Sequence, residues 1–343
     1  MTPFAAALQR RLDPGSRAPL AVALSGGGDS LALLHLTLDW AQAHGRPVLA
    51  LTVDHGLNPD SAAWTTAAGA KARALGADWR ALAWEGPKPT TGVQARARAA
   101  RHALLAEAAR AAGARVLLMG HTADDIAEGE AMRAADTPGL GRLREWSPSP
   151  AWPEGRGVFL LRPMLQVRRT ELRAFLDARG ADWLDDPANA DPRFARVRAR
   201  QALAGGVATP SPATDLDPAV PALAHRLSFT AAGAEAPRAV LAAAPGPVLK
   251  PVLAAALLSV AGGSRPPRGP ELERLIGVIA AGGVATLAGA RLDARTERIH
   301  IARALPRRGA APAPKGPWSW AGDRFAAACG LLPDEASIQA LPD

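Results

Sequence analysis

Leu20-Ala21-Val22-Ala23-Leu24-Ser25-Gly26-Gly27-Gly28-Asp29-Ser30 is the stretch that decides the fold. Its apolar start has the length of a buried strand and is too short for a helix. Three glycines interrupt the chain, and a helical apolar pattern then runs through about His44. Strand, glycine loop and helix in that order open a βαβ unit, which puts the loop at the carboxyl edge of an open sheet, where ligands bind. Glycines let backbone N–H groups turn inward onto phosphate oxygens, and the helix N-terminus favours their negative charge. Ser25 and Ser30 can add hydroxyl donors. Asp29 would repel a phosphate unless a divalent cation bridged the two, so its presence points to Mg²⁺. A plain tight turn would also use glycine. The loop lacks the Gly-Lys-Ser/Thr of a Walker A motif, and it is not a dinucleotide fingerprint.

Outward from this stretch, short apolar runs alternate with longer amphipathic ones, as in an α/β domain with a parallel sheet. Further strands are expected at Pro47–Val53, Trp79–Trp84, Arg115–Met119 and Val158–Leu161, giving five in all. Helices are expected at Ser61–Leu75, Thr91–Ala112, Thr122–Ala135 and Arg168–Arg179. Residues 136–157 are rich in Pro and Gly and read as a long, mobile loop. Four parts follow: a catalytic domain over 1–203, a linker or reduced helical region over 204–247, a small α+β domain over 248–305, and a tail over 306–343. In the third part, Val248–Val260 and Glu271–Ala281 read as helices and Val284–Ala304 as a hairpin.

The chain has 343 residues, 48% hydrophobic and 21% charged, ordinary values for a globular protein. No apolar run reaches the roughly 18 residues of a membrane span, and Met1–Leu12 lacks the basic-then-apolar pattern of a secretory signal. One cysteine, Cys329, excludes a disulfide framework within the chain and a Cys-based metal cluster. The expected compartment is the cytoplasm. A net charge of +8 invites a polyanionic partner, although Arg with Ala, Gly and Pro as filler is also what a GC-rich coding bias gives.

Three further segments carry chemistry. Asp54 and His55 leave the second strand at the same sheet edge as the glycine loop, placed to meet a nucleotide. Gln94, Arg98 and Arg101 share one face of the long helix, where a solvated basic stripe is the plain alternative. His121, Asp124, Asp125 and Glu128 fall at i, i+3, i+4 and i+7 of the helix after strand four. Three carboxylates on one face repel unless a metal or cation offsets them, which favours a functional reading over a polar surface.

The glycine loop matches the SGGxDS signature of the PP-loop ATP pyrophosphatases, and in this order the segments resemble the tRNA(Ile)-lysidine synthetase family. Val53-Asp54-His55-Gly56-Leu57 and His121-Thr122-Ala123-Asp124-Asp125 are similar to its VDHGL and HTxDD motifs. Arg162-Pro163-Met164-Leu165 is similar to its RPLL. Trp183–Asp191 with Arg193–Arg200 resembles its arginine-rich segment after a DPSN sequence. The resemblance implies an open parallel sheet of the adenine nucleotide alpha hydrolase type. It implies ATP and Mg²⁺ as cofactors, and L-lysine and isoleucine tRNA with a CAU anticodon as partners. The cytidine O2 would attack the ATP α-phosphate, and the lysine amine would then displace AMP at C2. Ser25, Gly26, Gly27, Gly28, Asp29, Ser30, Asp54 and His55 would hold the nucleotide, with Asp29 on the metal. Asp29, His121, Asp125 and Arg101 would be catalytic. Arg98, Asp124, Glu128, Arg193, Arg196, Arg198 and Arg200 would meet lysine or tRNA. A homodimer is left open.

The pattern breaks at Ile126, where the family has Gln, at Gly129, where it has Thr, and at Asn58, where it has Arg; Arg133–Thr137 replaces a glycine-rich loop. Two alternatives stay open: a PP-loop enzyme adenylating another tRNA base or a small molecule, and a non-catalytic tRNA-binding paralogue. Thiolation normally needs cysteines that the first domain lacks, and amidation needs a glutaminase nucleophile for which there is no candidate.

Overall fold

A computed structural model describes residues 2–134, 143–184, 195–203, 216–230, 232–263, 266–304 and 321–339. Two compact units divide the chain: residues 1–215 with 334–343, and residues 216–333.

The first unit runs α1 (Thr2–Arg11), β1 (Leu20–Ala23), α2 (Gly28–His44), β2 (Val48–Asp54), α3 (Ser61–Ala74), β3 (Asp78–Ala83), α4 (Val93–Ala111), β4 (Val116–Leu118), α5 (Ala123–Ala134), β5 (Trp146–Pro148), β6 (Phe159–Leu161), α6 (Arg169–Asp177) and α7 (Ala195–Leu203). Its sheet has the order β3-β2-β1-β4-β6-β5. β1 pairs in parallel with β2 on one side and β4 on the other. Leu20, Ala21, Val22 and all of β4 are buried, as expected of strands covered on both faces. The chain leaves β1 towards β2 and β3, then returns to add β4 and β6 on the other side. The crevice between β1 and β4 is therefore the topological switch point.

The sheet has six strands where the sequence suggests five. The sixth, Trp146–Pro148, lies inside the expected loop and pairs antiparallel with β6 at the edge. Three residues between prolines and glycines give no readable period, and pairing with β6 supplies what local propensity does not. Residues 136–142 of that loop lie outside the described ones.

The second unit contains α8 (Ala219–Ala224), β7 (Ser228–Thr230), β8 (Gly233–Pro237), α9 (Arg238–Ala243), α10 (Gly246–Ala261), α11 (Gly269–Ala281), β9 (Val284–Leu287), β10 (Ala290–Asp293), β11 (Arg298–Arg303) and α12 (Ala321–Ala328). Its five strands form an antiparallel sheet in the order β7-β8-β11-β10-β9. Leu292, Ile299 and Ile301 alternate inward beneath α10, whose Leu249, Val252, Leu253 and Leu257 are buried. Cys329 is buried in the same core. Residues 216–247, read from sequence as linker or reduced helices, supply α8, β7, β8 and α9; residues 204–215 lie outside the described ones.

The last helix, α13 (Glu335–Gln339), belongs to the first unit. Glu335 takes both Nη atoms of Arg46 at 2.7 Å, with both side chains wholly buried. The backbone N–H of Asp13 donates to the same carboxylate.

Candidate active site

Hydroxyl groups brace the glycine loop from within. Ser30 Oγ donates to Gly27 O at 2.8 Å and accepts the N–H of Ser25 at 3.1 Å. With its one hydrogen on Gly27, Ser30 Oγ accepts from Ser25 Oγ, 3.1 Å away. Both hydroxyls expected as phosphate donors thus hold the loop's shape, leaving backbone N–H groups for an anion. Gly26 sits at φ +86°, where an L side chain is strained, and a Cβ there would lie 2.7 Å from Leu184 Cδ1. Leu184 also donates its N–H to Gly26 O, and the Trp183 ring lies against Gly28. The segment after α6 therefore packs directly on the loop.

Gly120 follows β4 at the same edge. A Cβ there would stand 3.1 Å from Asp29 O, so glycine permits α5 to start beside the first turn of α2. His121 follows, half-buried. Asp125 Oδ2 accepts both the N–H and the Oγ1–H of Thr122 at 2.8 Å, fastening the first turn of α5. Its other oxygen faces inward, and so does Glu128, which is 1% exposed.

A single cation gathers this cluster. Arg169 donates from Nε to Asp29 at 2.9 Å, from Nη2 to Asp125 at 2.9 Å and from Nη1 to Glu128 at 2.6 Å. Its backbone N–H donates to Asp124 Oδ2 at 2.9 Å. Glu128 Oε1 also accepts Arg200 Nε at 2.8 Å. Burial alone would depress the Arg169 pKa, but Asp125, Glu128 and Asp29 outweigh it and raise it. For Asp29, burial outweighs Arg169 and Arg173, and with Asp125 nearby its pKa rises above the ordinary carboxylate value.

Sequence reasoning missed Arg169. Two signals were available: three neighbouring carboxylates needed a cation, and Arg at a helix N-terminus opposes the helix dipole. Arg169 stands at the first position of α6, where Glu171 accepts the Arg168 N–H at 2.7 Å.

The other expected residues separate. Asp124 caps α6 through Oδ2, with Arg168 at 4.0 Å from its other oxygen. Asp54 Oδ1 accepts the Gly56 N–H at 2.8 Å and shapes the turn after β2. His55 lies edge-on to Trp84, and burial, then Arg101, lowers its pKa. Arg98 is exposed and Arg101 half-buried on α4. Arg198 is exposed on α7, whereas Arg200 turns back to Glu128. Arg196 lies in α7, and Arg193 falls outside the described residues. Ile126 and Gly129 are buried.

The PP-loop domain family matches residues 1–206. The tRNA(Ile)-lysidine synthase of Caulobacter vibrioides is 54% identical over 297 residues, 84% of this chain and 68% of that protein. This chain belongs to the tRNA(Ile)-lysidine synthase family. The Hyphomonas neptunium member is 40% identical over 87% of this chain and 84% of its own length. That of Methylobacterium nodulans is 38% identical over 89% and 96%. The family is a ligase family with a PP-loop ATP-binding domain, and glycine loop, acidic cluster and Arg169 all lie in the matched region. Among the described residues no helix is long and apolar enough to cross a membrane.

Proposed function

We propose that this chain ligates L-lysine to C2 of the wobble cytidine of isoleucine tRNA with a CAU anticodon, in two steps that consume ATP and release pyrophosphate and AMP. The observation that carries the reading is the cage of Asp29, Asp125 and Glu128 around a guanidinium beside the glycine loop. A cage of three carboxylates that takes N–H groups from all three nitrogens of a guanidinium has the charge to receive an ammonium. Lysine supplies one, and its neutral amine is the nucleophile of the second step.

In the first step, the loop N–H groups hold the leaving pyrophosphate while cytidine O2 attacks the α-phosphate. Arg101 faces the developing charge from α4. His55 and Asp54 flank the nucleotide at the end of β2. In the second step Asp125, fixed by Thr122, receives the proton of the attacking amine, and Glu128 orients lysine. Arg169 yields hydrogen bonds to the incoming amine and keeps the remaining carboxylates from repelling one another.

Among the described residues no group of three acidic or imidazole side chains is set to hold a metal unaided. Asp29 and Asp125 converge on one guanidinium, and such a pair of hard oxygen ligands fits Mg²⁺ shared with phosphates. A bound Mg²⁺ would neutralise phosphate oxygens. The tRNA substrate places the enzyme in the cytoplasm, and α7, with Arg198 exposed, offers RNA a basic surface.

The test is release of labelled AMP and pyrophosphate by purified protein. Pyrophosphate release that requires the tRNA, and AMP release that requires both the tRNA and lysine, is expected. Release of neither product from folded protein with both present would reject the reading.

A further inference from the structure

Arg162, which directly follows β6, is 6% exposed. Its Nη1 donates to Arg144 O at 2.9 Å and Ser147 Oγ at 3.0 Å, both neutral, and its buried Nε has no hydrogen-bond partner among the described residues. No described carboxylate lies within ion-pair reach of it. Glu145, whose backbone oxygen accepts the Arg162 N–H, spends its carboxylate on Arg10 and Arg11. Burial, with Arg98 adding repulsion, lowers the Arg162 pKa to about 10.

His102 makes the same point from α4. It is 4% exposed, and both ring nitrogens are buried without a partner. Burial, then Arg98, Arg101 and Arg162, brings its pKa down to about 3, so the ring is neutral and can donate one N–H. Arg98, Arg101 and His102 fall at i, i+3 and i+4 on one helix face. A buried guanidinium without a counter-charge is costly, and a neighbouring like charge adds to the cost. What would relieve it is an anion that the described residues do not supply.

We propose that Arg162 and His102, with Arg98, form a phosphate site that takes a backbone phosphodiester of the RNA substrate. Arg162 directly follows β6, which lies two strands from β1 in the order β1-β4-β6, so the strands that carry Arg162 and the glycine loop are about 10 Å apart at the usual spacing. That separation assigns the site to the RNA rather than to the pyrophosphate held by the loop. A phosphate fixed here sets the register of the strand and so presents the target base at the switch point. This inference rests on the proposed tRNA substrate.

The test measures binding of an isoleucine tRNA transcript across a salt series, with ATP affinity beside it. Arg162→Gln should reduce the slope of log affinity against log salt by about one, which is roughly an eightfold loss at about 0.1 M salt. ATP affinity should not change, and the melting temperature should rise because an unpaired buried charge is gone. Arg162→Lys should recover part of the slope. Arg98→Gln, at an exposed position, should also reduce the slope and keeps the test open if Arg162→Gln does not fold. Loss of ATP or pyrophosphate affinity instead would assign the site to the nucleotide and overturn the proposal. Unchanged salt slopes in folded variants would overturn it too. Wild-type protein that fails to bind the transcript would refute the substrate reading itself.

Discussion

Replacing Arg169 by Met tests the organisation of the site. The side chain is 15% exposed and holds Asp125 and Glu128, whose side chains are 8% and 2% exposed. Removing one partner of a buried ion pair costs about 3–5 kcal/mol, because the other is left charged and desolvated. Here the lower end applies, since Glu128 keeps Arg200 and Asp125 keeps both donors of Thr122. About 3 kcal/mol in a unit of this size corresponds to a fall in Tm of about 6–12 °C. The pH dependence has a definite sign. The deficit comes from ionised carboxylates that have lost their cation, and the pKa of Asp29, which burial already raises, rises further without Arg169. A raised carboxylate pKa favours folding below its unfolded value, and that advantage disappears as pH climbs through the folded value. The Tm difference from wild type should therefore be largest near neutral pH and shrink towards about pH 4–5. Circular dichroism melts across that range measure it, and a second substitution, Glu128→Gln, should restore part of the loss. A variant melting within a degree of wild type at neutral pH, or a deficit that grows in acid, would refute the reasoning.

Other substitutions separate stability from function. Asp29→Asn should abolish AMP release yet raise Tm at neutral pH, because burial raises the Asp29 pKa and its ionised form is strained; the gain should fade in acid, and a lower Tm at neutral pH would contradict it. Gly26→Ala meets both the positive φ and Leu184 at 2.7 Å, so ATP affinity should fall, and adding Leu184→Ala should recover only the steric part; equilibrium nucleotide binding reads both. Glu335→Ala strips Arg46 of its buried partner and should cost about 3–5 kcal/mol in urea unfolding of the first unit. A cost under about 1 kcal/mol, the worth of an exposed pair, would count against that contact.

The fold's centre was legible because β1 and β4 are short apolar runs followed by glycine turns, and each turn marks the carboxyl edge. Asp125 and Glu128 were legible together, since helical spacing aligns them, whereas His121 precedes α5 and lies outside the helix. What each carboxylate does was not. Asp124 caps α6 through a helix 45 positions along the chain, and Ser25 and Ser30 turn on each other rather than outward. Such pairings depend on tertiary approach, which one-dimensional spacing does not encode. Arg169 was hidden for the same reason: its partners come from α2 and α5. Strand β5 carries no period of its own and forms only because β6 offers an edge.

The central claim is that the Arg169-bound carboxylate cage and the glycine loop form one lysine-ligating site. Nucleoside mass spectrometry of isoleucine tRNA transcript, incubated with purified chain, ATP and lysine, tests it most directly. The account predicts lysidine at the wobble position, with none formed by Asp29→Ala or Asp125→Ala. An unmodified cytidine after incubation with folded wild-type protein would contradict it.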